Sequence, residues 1–407
     1  MLKKVAVNQL TVGVFVHGFD ESWLKHPFWR NKFLIKDQAT LREIQQCGIP
    51  QCWIDVSKGQ DVPEDKPRDV AVLVPAETKA EPPKRERVPL SQELQEAARL
   101  RARSADAMRR MFAEVRLGKA IEPGECVNLV DDVVESINRH PDALLSLARL
   151  KTADEYTYLH SVAVCALMVS LGRQLGLNDA QCRDAGMAGM LHDLGKAAMP
   201  QDVLNKPGKL TAEEFEIIKT HPVRGYEMLL DAANVCEGAK DVCLHHHERV
   251  DGTGYPHKLA GDKISLLSRM GAVCDVYDAV TSDRPYKAGW DPAHALSQMA
   301  SWKGHFDPTV FQCFVKSVGI YPTGSLVRLR SGRLAVVLEQ NPANLTKPRV
   351  KIFFSTKAGL PLEPQVLDLA SAHVVDQIEA REPLENWNFS YLTELWDGAG
   401  ALKQAQG

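Results

Sequence analysis

From Ser91 to about residue 320 the apolar positions recur at helical spacing, whereas on either side of that span they alternate as in strands. Leu94, Ala98, Ala105, Met108, Phe112 and Val115 recur at three, four and seven, which predicts one long amphipathic helix. Further helical stretches are predicted over about 127–139, 141–150, 156–176, 179–193, 212–220, 222–231, 235–248, 265–282 and 291–302, with "TAEE" at 211–214 as a capping-box start. Residues 1–56 place the strand-like "TVGVFVHG" and "QCWIDV" around a helical "QATLREIQQCGI", which predicts a small α+β domain. Residues 57–90 carry six prolines among many charges and read as a linker. After Gly319, "SLVRLRSGRLAVVLEQ" alternates around a Ser-Gly turn, and "RVKIFF" follows as a third strand.

The expected organisation is mainly α. It comprises an N-terminal α+β domain (1–56), the linker (57–90), a connecting helix (91–125), an all-helical bundle (126–322), a small β extension (323–380) and a tail (381–407). Arg99, Arg101, Arg103, Arg109 and Arg110 alternate with Glu93, Glu96, Asp106 and Glu114, so the first long helix is expected to present a solvated face or a homodimer seam, not a nucleic-acid surface. A net charge of −3 favours neither nucleic acid nor acidic lipid. No apolar run reaches the roughly 18–20 residues of a membrane span. The opening "MLKKVAVNQL" is interrupted by Asn8 and Gln9 and lacks a small-residue cleavage site, so a cytoplasmic protein is expected. Nine scattered cysteines without a CxxC pair fit reduced thiols and no thiolate zinc site.

The chemistry lies in the spacing of His160, His192-Asp193, His221, His246-His247 and Asp275. The gaps are 32, 29, 25 and 28 residues, about one helix and its connection each. Any one of these histidines on an apolar helix is more simply a hydrogen-bonded core residue. The set, spaced at one or two per helix, points to a metal centre inside a bundle. An aspartate in a run such as "LLSRMGAVCDVYDAV" is costly to bury unless paired or bound to a cation. Imidazole and carboxylate donors suit Mn, Fe, Ni, Co or Zn. Their number exceeds one ion's needs, so two ions bridged by Asp193 are expected, with no organic cofactor. Such a pair activates a hydroxide and clamps an in-line displacement at phosphorus. Lys196, four residues after His192 and placed on the same helix face, fits charge stabilisation on a phosphate oxygen; a surface lysine is the plain alternative. Arg284 and Lys287 fit phosphate or guanine-edge contacts, and a helix-end cation is the alternative for one of them.

The segments "YTYLHSVAV", "LHDLGKAAMPQDVLNKPGKLTAEEFEIIKTHPVRGYEML", "HHERVDGTGYP" and "DVYDAVTSDRPYK" resemble the HD-GYP family, a branch of the HD phosphohydrolases that degrades cyclic di-GMP. The resemblance covers about residues 150–320. "VNQLTVGVFVHGFD" is similar to a small uncharacterised domain that often precedes it, and the strand-rich tail is similar to a common β extension.

The resemblance implies an HD-type helical bundle and hydrolysis of cyclic di-GMP to linear pGpG and onward to GMP. By it, His160, His192, Asp193 and Asp275 hold one metal, while His221, His246 and His247 hold the second. Lys196 and Asp278 act beside the nucleophilic water with Asp193. Arg284 and Lys287 contact the ligand, as do Gly254 and Tyr255 of the Gly-Tyr-Pro loop, which is also the implied contact for diguanylate cyclase (GGDEF) proteins. Tyr156 stands where some members carry a glutamate for a third metal, so a binuclear site is expected. Hydrolysis of another phosphoester, or a cyclic di-GMP sensor with little turnover, stays open. His245 is expected to be a bystander, with Glu248 and Asp251 as loop-fixing groups.

Overall fold

The structure is a computed structural model. It describes residues 2–19, 33–35, 38, 41, 44, 51–60, 62, 88, 90–119, 124–148, 156–206, 208–230, 232, 235–282, 289–341, 343–383, 386–389 and 391–396. The chain divides into two compact units, Met1–Lys84 and Arg85–Gly407. The linker over 63–87 and most of the helical stretch expected at 38–49 lie outside the described residues.

In the first unit, β1 (Leu2–Ala6), β2 (Phe15–Phe19), β3 (Phe33–Leu34) and β4 (Gln51–Asp55) form an antiparallel sheet in the order β1-β4-β2-β3. Val14 and Val16 on one segment and Cys52 and Ile54 on another alternate into a small core with Val5, Leu10 and Ile35. That is the period-two signature read from the sequence.

In the second unit the helices are α1 (Leu90–Arg116), α2 (Gly124–Arg139), α3 (Pro141–Ala148), α4 (Tyr156–Gln174), α5 (Asp179–Leu191), α6 (Gln201–Leu204), α7 (Ala212–Ile218), α8 (His221–Leu230), α9 (Glu237–His245), α10 (Leu266–Thr281), α11 (Pro292–Ser301), α12 (Pro308–Val318) and α13 (Leu392–Trp396). Their starts follow local chemistry. Asn178 with Gln181, and Thr211 with Glu214, form capping boxes, while Asp291 and Asp307 cap helices whose first residue is proline. Helix α4 is apolar on every side, and its residues from Val162 to Val169 are all buried. A helix of that kind belongs at the centre of a bundle, and α1, α3, α5, α10 and α12 all pack on it.

Helix α1 is part of this core. Leu94, Met108 and Phe112 are buried, and Phe112 meets Tyr158 of α4 edge to face at 5.7 Å. Its buried Glu93 accepts hydrogen bonds from Ser136 (2.8 Å) and Arg139 (2.7 Å) of α2.

A second sheet follows, with strands β5 (Leu326–Leu329), β6 (Arg333–Glu339), β7 (Arg349–Ser355), β8 (Leu360–Asp368) and β9 (Ile378–Arg381) in the order β8-β7-β6-β5-β9. Leu326, Leu334, Val336 and Phe353 face the helical core, and Val327, Leu329, Ala335, Val337 and Val350 fill a smaller one on the other side. The sheet is therefore docked on the bundle through one face.

Three expectations need correction. The segment expected to be helical over 179–193 stops at Leu191, and Lys196 lies on a 3-10 turn, Leu194–Ala198, so it shares no α-helical face with His192. The helix expected over 235–248 stops at His245, which leaves His246 and His247 at its end instead of inside it. Strand β8 is a further strand that the alternation did not announce: "LPLEPQVLD" carries Pro361 and Pro364, which an exposed edge strand tolerates.

Candidate metal centre

Every residue expected as a ligand comes to one place. His160 sits in the second turn of α4, His192 and Asp193 just after α5, His221 at the start of α8, His246 and His247 just after α9, and Asp275 within α10. Three groups have donor atoms within 4.8 Å of one another: His221, His246 and His247; His160, His192 and Asp275; and His192, Asp193 and His246. Asp193 joins the halves. Its Oδ2 lies 3.3 Å from His160 Nε2 and 3.4 Å from His192 Nε2, while its Oδ1 lies 3.2 Å from His221 Nε2 and 3.7 Å from His246 Nε2.

The ring orientations follow from the helix ends. The last carbonyls of a helix lack intrahelical donors. His192 Nδ1 donates to Gly189 O of α5, His221 Nδ1 to Ile218 O of α7, and His246 Nδ1 to Val242 O and Cys243 O of α9. Three of the clustered histidines thus each close a helix C-terminus. His160 Nδ1 lies 2.6 Å from Asp278 Oδ2. Carbonyl and carboxylate oxygens only accept, so each of these rings carries its proton on Nδ1 and, when neutral, turns a lone pair on Nε2 inward.

Those lone pairs meet: His192 Nε2 and His160 Nε2 are 3.2 Å apart, and His221 Nε2 and His246 Nε2 are 3.3 Å apart. Two acceptors facing at that distance repel unless a cation lies between them. The carboxylate atom Asp193 Oδ1 is buried and accepts no hydrogen bond among the described residues. The donor set therefore fits metal ions.

The electrostatics agree. Burial, reinforced by His247, His192 and His221, holds His246 neutral, its pKa far below the usual imidazole value. Burial takes His247 down to about 3. Burial opposes ionisation of Asp193, but Lys196 and His192 outweigh it and keep the carboxylate charged. At His192 burial is outweighed by Asp193 and Asp275, which raise its pKa: this end of the cluster calls for positive charge.

The remaining expected residues divide. Lys196 Nζ is 2.5 Å from Asp193 Oδ2, and its side chain is 23% exposed, so it stands between the cluster and solvent. Asp278 is buried, and its Oδ2 bonds the ring edge of His160 opposite the one facing Asp193. Tyr255 lies over His247 with ring centroids 4.7 Å apart, and its peptide to Pro256 is cis. Gly254 is buried where a Cβ would come within 2.4 Å of Arg249 N and 2.6 Å of His247 O, so its part is to let the loop close under His247. Arg284 and Lys287 lie outside the described residues.

Glu248 accepts from His257 N (2.7 Å) and Leu259 N (3.1 Å), and Asp251 from Thr253 N (2.9 Å), which ties the loop to itself. His245 takes no place in the cluster; it joins Asp241 (2.8 Å) to His257 (3.0 Å). A glycine that the spacing of donors did not single out holds the halves together. A Cβ on Gly195 would lie 1.9 Å from His221 O and 2.5 Å from Gly225 N, so the turn carrying Lys196 packs directly on the backbone that carries His221. The signal was present in sequence as a glycine between Asp193 and Lys196.

Comparison with known proteins adds to this geometry. Residues 132–310 match the HD domain, and residues 2–126 match a domain of unknown function (DUF3391). The chain is 54% identical over 399 residues to a cyclic di-GMP phosphodiesterase of Pseudomonas aeruginosa, covering 98% of this chain and 96% of that protein. It is 44% identical over 172 residues to a cyclic di-GMP phosphodiesterase response regulator of Xanthomonas campestris, covering 40% of this chain and 45% of that one. It is also 32% identical over 195 residues to a 3'3'-cGAMP-specific phosphodiesterase of Vibrio cholerae, covering 47% of this chain and 37% of that one. No described helix is long and apolar enough to cross a membrane.

Proposed function

The chain belongs to the HD-GYP family of HD phosphohydrolases, and from that premise we propose that it hydrolyses cyclic di-GMP to linear pGpG with two divalent metal ions. The observation that carries this reading is Asp193, whose two oxygens face different pairs of histidines. One ion would be held by His160, His192, Asp193 and Asp275, and the other by Asp193, His221, His246 and His247. Bound divalent ions supply Lewis acidity and acidify water for attack at phosphorus.

The chain's own residues do the rest. Lys196 keeps Asp193 charged through their 2.5 Å contact, and its ammonium is a three-donor cation that suits a phosphate oxygen arriving from solvent. Asp278 holds the His160 proton on Nδ1 and so keeps Nε2 turned inward. Tyr255 shields His247 from water on its open side.

Incubating the protein, loaded anaerobically with Mn(II) or Fe(II), with cyclic di-GMP and separating products by chromatography tests this reading. Formation of pGpG, and its loss in His192→Ala and Asp193→Ala, is expected. Cleavage of 3'3'-cGAMP but not of cyclic di-GMP would overturn the substrate, and near-normal turnover in either variant would overturn the ligand assignment.

A further inference from the structure

The cluster is open on one side. Its ligands are buried except His247, whose side chain is 23% exposed, as is that of Lys196. Tyr255 lies on His247 at that opening. Next to it, Lys219 places its Nζ 5.9 Å from the Tyr255 ring centroid and 5.4 Å from that of Phe215. Phe215 is 47% exposed, and Ile217 on the same short helix is 40% exposed. His247, Tyr255, Lys219 and Phe215 thus lie in series, a ledge from the part-exposed His247 to the exposed Phe215.

The polar partner of Lys219 is Glu216 Oε1 at 2.5 Å, with Glu216 69% exposed. A pair of this kind in water contributes little and yields readily to a competing anion. A lysine held over one aromatic face, beside another left in solvent, suits a phosphate with a planar base next to it. The proposed substrate has two phosphodiesters, and only one reacts at a time.

Resting on the cyclic di-GMP reading, we propose that Lys219 binds the phosphodiester that is not being cleaved and that Phe215 stacks on the adjoining guanine. Lys219 is then a specificity residue. It adds nothing at the reacting phosphorus but holds the other half of the cyclic dinucleotide while one phosphodiester reacts. A substrate with a single small phosphodiester has nothing to lay on the ledge.

The test compares wild type, Lys219→Ala and Lys219→Arg as full-length, metal-loaded proteins on cyclic di-GMP and on bis(p-nitrophenyl) phosphate. For Lys219→Ala, KM for cyclic di-GMP should rise about tenfold with kcat nearly unchanged, the scale expected for removing one charge-assisted hydrogen bond. The preference for cyclic di-GMP over bis(p-nitrophenyl) phosphate should fall by the same factor, and Lys219→Arg should restore most of it. An unchanged KM, or an equal loss on both substrates, would overturn the role of Lys219 while leaving the phosphodiesterase reading intact. A wild-type protein that cleaves bis(p-nitrophenyl) phosphate but not cyclic di-GMP would overturn both.

Discussion

Asp278 Oδ2 and His160 Nδ1 lie 2.6 Å apart inside the bundle, joining α10 to α4 behind the histidine–aspartate cluster. The bond makes one ligand's orientation depend on a carboxylate set on the far side of the ring from Asp193. Outer partners of this kind are worth about 10–100-fold in metal affinity. Asp278→Ala should therefore weaken metal binding by about that factor in a chelator competition. Asp278→Asn, which keeps an acceptor but not the charge, should fall between, and activity should recover in part at high metal concentration. Equal affinity in wild type and Asp278→Ala would remove the orienting role.

Gly195 gives a sharper outcome. Because its absent Cβ leaves room for His221 O at 1.9 Å, Gly195→Ala has to push the Lys196 turn away from α8. Overpacking against backbone costs about 1–3 kcal/mol or more. The expected result is a lower denaturation midpoint together with fewer than the wild-type number of bound metals by elemental analysis. Full metal content with an unchanged midpoint would show that the two backbones separate freely.

Asp241 supplies a pH dependence away from the metal ligands. Burial opposes its ionisation, yet hydrogen bonds from His245, Ser265 and Ser268 outweigh that and bring its pKa from 3.8 to about 2. A folded pKa below the unfolded one stabilises the fold above pH 3.8, and the contribution fades as pH falls toward about 2. Asp241→Asn should lose about 1 kcal/mol at pH 6, after allowance for solvent screening. Urea titrations should show the gap to wild type narrowing below about pH 4. A gap that stays constant down to pH 3 would assign the effect to shape instead of charge.

The helices and the donors were legible because both depend on spacing along the chain. Apolar residues at three and four mark the helices, and His160, His192, His221, His246 and Asp275 fall about one per helix. The helix ends were not legible. Neither His192 nor His246 is followed at once by glycine or proline, and at each end an imidazole Nδ1 bonds a carbonyl of the last turn, Gly189 O and Cys243 O. The four-residue spacing of Lys196 from His192 suggests a shared helical face for the same reason, although the helix ends at Leu191. The sequence distance of Asp278 from Asp275 says nothing of its bond to the outer ring edge of His160. Lys219 and Phe215 carry no signal in the sequence, since an exposed phenylalanine on a short helix and a lysine just past its end acquire meaning only once Tyr255 is placed beside them.

Helix α1 carries one more consequence. The HD match begins at residue 132, a natural point at which to excise a catalytic fragment. Cutting there would strip Leu94, Met108 and Phe112 from the core, and would leave Ser136, Arg139 and the Tyr158 ring without the partners α1 supplies. A piece that keeps this core intact therefore starts no later than Leu90, and lost activity in a truncation at the match boundary would report a damaged core before it reported on chemistry.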